Sequence, residues 1–151
     1  MAGYQLVENS KEKNTKILVW ILFDWEIVMQ AKPIFLLTTL VGLFFGIALF
    51  AMPEIIFDLL EMTYLNGGPV IARHTGSWIL AAALFAFLIR NEEHSNFRQS
   101  TFLFFDIAFA LMIVAELYGY LMALAGVMIW AIIALHALFV ILYTYLFVTN
   151  R

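Results

Sequence analysis

Cysteine is absent from the chain, proline occurs three times, and charged residues are scarce. Without cysteine the protein cannot form disulfides, use a thiolate nucleophile or hold zinc or an iron–sulfur cluster through sulfur. Charged residues make up 13% of the chain, about half the share that is usual for a soluble domain. Hydrophobic residues make up 64%, more than a water-soluble fold of 151 residues could bury. The composition therefore predicts an all-α membrane protein.

Lysine, arginine and proline are all missing from residues 101–148. As one helix this stretch would be roughly 72 Å long, more than twice the ~30 Å hydrocarbon core of a bilayer, so it must turn back once. The turn is expected within residues 119–126, where glycine occurs at both ends. Two more apolar segments precede this hairpin, which predicts a bundle of four transmembrane helices with spans at about 33–52, 70–89, 101–120 and 124–148.

Three other segments have the composition of a tail or of surface helices. Residues 1–15 are polar and charge-mixed, and we expect a cytoplasmic tail. Residues 16–32 predict an interfacial amphipathic helix, which either anchors the chain to the membrane or docks a partner subunit. Residues 53–65 begin with proline and carry three acidic side chains on one face, which predicts a second amphipathic helix on the outer surface. Residues 33–151 then form the four-helix transmembrane domain.

The distribution of basic residues predicts the orientation of the chain. With four spans, seven of the eight Lys and Arg residues fall on one side of the membrane. By the positive-inside rule both termini are cytoplasmic, and we expect a prokaryotic plasma (inner) membrane. Arg73 is the exception, because it lies on the outer side among acidic residues, which indicates that it is paired.

The third predicted span carries two carboxylates on one face. Asp106, Phe109, Ile113, Glu116 and Tyr120 recur at spacings of three and four residues, which places them on one stripe of a helix. A charge in hydrocarbon costs on the order of 2.5–3.5 kcal/mol, so this stripe should face protein or water and not lipid. It is the candidate intramembrane polar site.

Predicted depth suggests partners for these groups. Glu116 and Arg73 reach a similar level, and we expect them to pair, whereas Lys32 or Arg90 is expected to reach Asp106 from the inner end. His136 lies near the middle of the fourth span, roughly 9 Å from Glu116 along the membrane normal by helical rise, and it has no partner that the sequence identifies.

Other recognisable chemistry is largely missing. The three histidines, at positions 74, 94 and 136, fall at three different depths, which argues against one metal site or bis-histidine haem ligation. No phosphate-binding glycine loop, HExxH motif or nucleophile–base spacing is present. The basic residues are few and lie next to the membrane, which argues against nucleic-acid binding. Neither a metal nor a cofactor is predicted.

Gly42 and Gly46 form a G-x-x-x-G pair in the first predicted span. Such a pair lets another helix approach closely. The approaching helix belongs either to the same chain or to a second copy.

The order of elements resembles a known family. A first span, a proline-led outer helix and the run Ala72-Arg73-His74-Thr75-Gly76 at the start of an alanine-rich second span are similar to the DoxX-like group of small four-helix membrane proteins. The resemblance covers about the first hundred residues at the level of topology. It implies a role like that of members that are accessory to quinone-linked respiratory complexes, and residues 16–32 are an addition to the pattern.

Two functions of different classes fit these features. The first is a non-catalytic accessory or scaffold subunit of a larger membrane complex, in contact with lipids, with other integral subunits or with further copies of itself. The second is a binding or carrier protein for a quinone, lipid or cation, with Asp106 and Glu116 lining a cavity and His136 exchanging a proton. An intramembrane enzyme using Glu116 and His136 as acid and base is a third, weaker hypothesis.

Overall fold

A computed structural model describes residues 30–63 and 66–150. Within these ranges the protein contains five helices and no strands, namely α1 (Ala31–Ala51), α2 (Pro53–Leu59), α3 (Gly68–Ile89), α4 (Asn96–Leu121) and α5 (Ile129–Thr149). All of these except α2 are long and apolar enough to cross a membrane, which confirms the prediction of an all-helical chain with four membrane-crossing helices. The predicted tail at 1–15 and most of the predicted helix at 16–32 lie outside the described residues.

The helix α4 begins at Asn96 and not at the predicted residue 101. Ser95 precedes it in an extended conformation, and its hydroxyl oxygen accepts a hydrogen bond of 3.2 Å from the backbone N–H of Arg98. This is the N-cap geometry that satisfies a backbone donor at a helix start. The cap extends the helix by more than one turn into a segment whose polarity predicted a loop.

The fourth long helix, α5, begins at Ile129 and not at the predicted residue 124. The helix α4 ends at Leu121, and Ala123, two residues later, has a left-handed φ of 56°. Residues 122–128 then connect the two helices. Because α5 begins five residues later than predicted, the side chains of α4 and α5 that lie at the same level differ from the predicted ones.

The short helix α2 ends at Leu59, six residues before the predicted end at 65. Glu61 has a φ of 53°, and the N–H of Met62 reaches back to the carbonyl of Phe57 at 2.8 Å. A left-handed residue followed by such a bond is a common way to satisfy the last carbonyls of a helix.

The long helices form two antiparallel pairs, α1 with α3 and α4 with α5. Small residues allow α1 and α3 to approach closely. A methyl group on Gly42 would lie 2.8 Å from Cβ of Ala83, and one on Gly76 would lie 2.7 Å from the backbone nitrogen of Phe50 and 2.9 Å from the carbonyl oxygen of Gly46. The predicted G-x-x-x-G face therefore contacts α3 of the same chain.

All four long helices meet in an aromatic cluster. The cluster lies at the end of the bundle that carries the connection of residues 90–95, called here the loop end; the opposite end is the α2 end. The rings of this aromatic cluster are Phe35 of α1, Phe85 of α3, Phe102, Phe105 and Phe109 of α4, and Phe139 and Tyr143 of α5. The hydroxyl of Tyr143 donates a 2.7 Å hydrogen bond to Thr38, whose own hydroxyl donates to the carbonyl of Ile34 at 3.0 Å. The cluster therefore joins the two helix pairs through packing and one buried polar chain.

A second, smaller apolar cluster joins the helix pairs at the α2 end. Ile56 and Leu60 from the segment around α2 pack against Ile129 and Ile133 of α5. The backbone N–H of Gly126, in the connection between α4 and α5, donates to the carbonyl of Leu60 at 2.8 Å. The α2 segment therefore bridges the first helix pair to the second.

We expect Gly76→Ala to destabilise the protein by about 1–3 kcal/mol, because the new methyl group would meet backbone atoms of α1 that cannot move aside. The free energy of unfolding, measured by denaturant titration in mixed micelles, checks this. Gly119→Ala is the matched control: nothing lies within 4 Å of the added methyl group, and alanine is the better helix former. Equal stability of the two variants would contradict the close contact.

Candidate functional site

The predicted polar stripe of α4 faces α5. From one end to the other, the side chains of α4 meet those of α5 in reverse order, as two antiparallel helices require: Asp106 with Thr144, Phe109 with Phe139, Glu116 with His136, and Tyr120 with Trp130. The stripe therefore lies along a contact between two helices of the chain.

Glu116 and His136 form the most enclosed polar contact of the stripe. Oε1 of Glu116 lies 2.8 Å from Nδ1 of His136, and both side chains are 16% exposed. The two atoms are close but not aligned as a hydrogen bond, and the second carboxylate oxygen, Oε2, is buried without a partner among the described residues. The centroid of the Phe109 ring lies 5.5 Å from that of His136. A carboxylate and an imidazole therefore lie side by side inside the helix pair.

The predicted pair of Glu116 with Arg73 is wrong. A guanidinium nitrogen of Arg73 lies 3.7 Å from Oε1 of Glu54, at the α2 end, and both of these side chains are about half exposed. The predicted 9 Å offset between Glu116 and His136 is also wrong. Because α5 begins at Ile129, His136 lies seven residues after its start, while Glu116 lies five residues before the end of α4. The two side chains are thus nearly level.

Asp106 lies at the edge of the contact between α4 and α5. The hydroxyl of Thr144 lies 3.1 Å from each of its carboxylate oxygens and donates to it. Asp106 is half-buried and Thr144 is exposed. Thr144 precedes the end of α5 by five residues and Asp106 follows the start of α4 by ten, which places this pair about 8 Å from the end of α5 and about 15 Å from the start of α4.

The predicted pairing of Asp106 with Lys32 or Arg90 is wrong. Both of these basic residues line a cleft at the loop end. The side chains around Asp106 are instead apolar and exposed, among them Leu103, Ile107 and Ile141. Asp106 therefore lies on an apolar outer surface with only a hydroxyl as its donor within the described residues.

The remaining candidate residues are spread over the protein. Tyr120 packs edge-to-face on Trp130, with ring centroids 5.5 Å apart. His74 accepts a 3.1 Å hydrogen bond from the indole N–H of Trp78, one turn along α3, and His94 contacts the backbone carbonyl of Asn150. Across residues 30–63 and 66–150 there is no group of three or more His, Asp or Glu side chains that could hold a metal ion.

Sequence reasoning missed two polar contacts that the fold uses, the donation from Thr144 to Asp106 and that from Tyr143 to Thr38. Both involve hydroxyl groups in apolar segments, which is the one signal that the sequence offered. Which hydroxyl meets which acceptor depends on the helix register, and the predicted register was displaced by the late start of α5.

Over residues 30–63 and 66–150 these features define an all-helical fold with four helices able to cross a membrane and a carboxylate–imidazole contact enclosed between two of them. No protein-family model, curated protein or solved structure matches the chain. The resemblance to the DoxX-like group stays a prediction.

We expect a coupling energy of about 1–2 kcal/mol between Glu116 and His136, near the upper range for polar contacts between transmembrane helices. The single variants Glu116→Gln and His136→Ala and their double variant, compared by the free energy of unfolding in mixed micelles, give this value as a double-mutant cycle.

The exposed pair Glu54 and Arg73 is the matched control, because an ion pair in contact with water contributes less than about 1 kcal/mol. Additive effects of the Glu116 and His136 substitutions would show that their closeness contributes nothing to stability.

Proposed function

We propose that the protein is a non-catalytic accessory or scaffold subunit of a larger membrane complex. The observation that carries this proposal is Asp106, a carboxylate ten residues, or about 15 Å by helical rise, from the start of α4. It lies at the edge of an apolar surface and is held only by Thr144 among the described residues. Leaving this charge against hydrocarbon costs on the order of 2.5–3.5 kcal/mol. A neighbouring subunit with a basic or hydrogen-bonding side chain at that depth would remove the cost.

Side chains of the protein itself fill the space along the polar stripe, which also supports a structural role. Phe109 stacks on Phe139, with ring centroids 4.7 Å apart, and lies against His136. Ile113 packs with the apolar cluster at the α2 end. Side chains of the protein itself thus occupy the space beside Glu116 and His136 that a carried molecule would need.

The second candidate function is a binding or carrier protein for a quinone, lipid or cation. The observation that favours it is the enclosed contact of Glu116 with His136 and the buried, unpartnered Oε2 of Glu116. Such a pair can take up and release one proton in the membrane. Proton exchange with a quinone headgroup would use this chemistry.

Purification of the native protein in mild detergent, followed by mass spectrometry of copurifying proteins and small molecules, tests the two functions. We expect a stoichiometric integral membrane partner, and a more than tenfold loss of that partner with Asp106→Asn, because removing one member of a desolvated charge pair costs several kcal/mol.

Asp58→Asn is the control for this loss, because Asp58 is exposed on α2, at the opposite end of the protein. A partner retained by the Asp106 variant would contradict the proposed contact. A protein that purifies without a partner and carries a quinone or lipid would replace the accessory function with the carrier function.

We further propose that the protein lies in a prokaryotic plasma membrane with both termini in the cytoplasm, as the distribution of Lys and Arg predicts. The absence of cysteine makes a direct test simple. In intact cells, Asn66→Cys, near the α2 end, is expected to react with a membrane-impermeant maleimide. Asn91→Cys, at the loop end, is expected to react only after permeabilisation, and the opposite pattern would reverse the orientation.

A further inference from the structure

A cleft of about 470 Å³ opens at the loop end of the bundle. It lies between the start of α1, the connection of residues 90–95 and the end of α5. Three basic side chains line it, those of Lys32, Arg90 and Arg98, together with the acidic Glu92 and Glu93. Its volume falls within the range of small-ligand sites.

The structure holds Arg98 in place without using all of its donors. One terminal nitrogen donates to the backbone carbonyl of Glu92 at 3.1 Å, and the other donates to Oδ1 of Asn150 at 3.4 Å. The guanidinium also lies over the ring of Phe102, 5.4 Å from its centroid. Its Nε is buried and has no partner among the described residues. A guanidinium held in a fixed position at the cleft presents a localised positive charge, which is suited to an oxyanion.

The other two basic side chains add charge to the same cleft. The guanidinium of Arg90 lies over the ring of Phe87, 3.7 Å from its centroid, and donates to the carbonyl of that residue. Lys32 is exposed. In the described part of the chain, Lys32, Arg90 and Arg98 form no ion pair with Glu92 or Glu93.

The start of α1 contributes a further feature that favours an anion. Gln30 precedes the helix, and its side chain makes no capping hydrogen bond. Gln30, Ala31 and Lys32 all line the cleft. The positive end of the helix dipole therefore lies beside the same space as the basic side chains.

We propose that this cleft binds the phosphodiester of a phospholipid headgroup. The three basic and two acidic side chains leave a net charge of +1, which one phosphodiester neutralises. Inorganic phosphate, like a phosphate monoester, carries more negative charge at pH 7 and fits this balance less well. Leu36, Leu88 and Phe97, which lie within four residues of Lys32, Arg90 and Arg98 in the chain, are exposed apolar side chains against which the acyl chains can lie. This inference does not rest on the accessory-subunit function.

The test compares three probes on the delipidated full-length protein in detergent: dioleoyl phosphatidylglycerol, the diacylglycerol with the same acyl chains, and inorganic phosphate. Affinity is taken from the rise in unfolding temperature with probe concentration. We expect phosphatidylglycerol alone to stabilise the protein. Equal stabilisation by diacylglycerol would show that the acyl chains suffice, and equal stabilisation by inorganic phosphate would show a site for a soluble anion; either result overturns the proposal.

Two variants then locate the site. Lys32→Gln with Arg90→Gln is expected to weaken phosphatidylglycerol binding more than tenfold, and Glu93→Gln is expected to strengthen it about fivefold, since each charge at a membrane surface contributes about 1 kcal/mol. A variant that folds poorly would not bind phosphatidylglycerol more tightly. The expected gain in affinity with Glu93→Gln therefore tests the site independently of folding. Arg73→Gln, which removes a basic residue at the α2 end, is the control. Unchanged affinity in both cleft variants would overturn the proposal.

Discussion

The architecture depends on the hydrogen bond from Tyr143 to Thr38 and on the aromatic cluster around it. Helices in lipid gain little from hydrophobic burial against one another, so packing and hydrogen bonds hold them together. Separation of the two helix pairs would leave the fully buried hydroxyl of Tyr143 without its acceptor, at a cost that hydrocarbon cannot offset. This contact also holds the start of α1 near the end of α5, where the cleft with Arg98 and Asn150 is formed.

The two carboxylates of α4 differ in environment because they meet different parts of α5. Glu116 lies inside the contact, against an imidazole that itself packs beside the Phe109 ring, and is mostly shielded. Asp106 lies at the edge, where a threonine hydroxyl is its donor and the surrounding side chains are apolar and exposed. A carboxylate enclosed between two helices contributes to packing within one chain, whereas a carboxylate at an exposed edge is available to a side chain of another subunit. This difference is the basis for favouring an accessory subunit over a carrier.

Several features of the site followed from sequence periodicity and others did not. The spacing of Asp106, Glu116 and Tyr120 correctly placed them on one helix face. Their partners were not predictable in this way, because partners depend on the level of one helix against the next. A shift of five residues in the start of α5 moves its side chains by roughly 8 Å along the helix axis, which is why His136 meets Glu116 and not a residue elsewhere on α4. The predicted pairs of Glu116 with Arg73 and of Asp106 with Lys32 or Arg90 failed for a different reason. This face of α4 meets α5, whereas Arg73 meets Glu54, and Lys32 and Arg90 line the cleft at the loop end.

The sequence by itself determined that the chain is helical and has four helices able to cross a membrane, because long apolar runs can satisfy their backbone groups in lipid only as helices or closed barrels. It also determined which face of α4 is polar. Only the tertiary structure decided that Glu116 meets His136, that Gly42 faces Ala83 within the chain, and that Lys32, Arg90 and Arg98 line one cleft. These contacts join residues far apart in the chain, and they depend on caps and turns that displace the helix ends by a few residues.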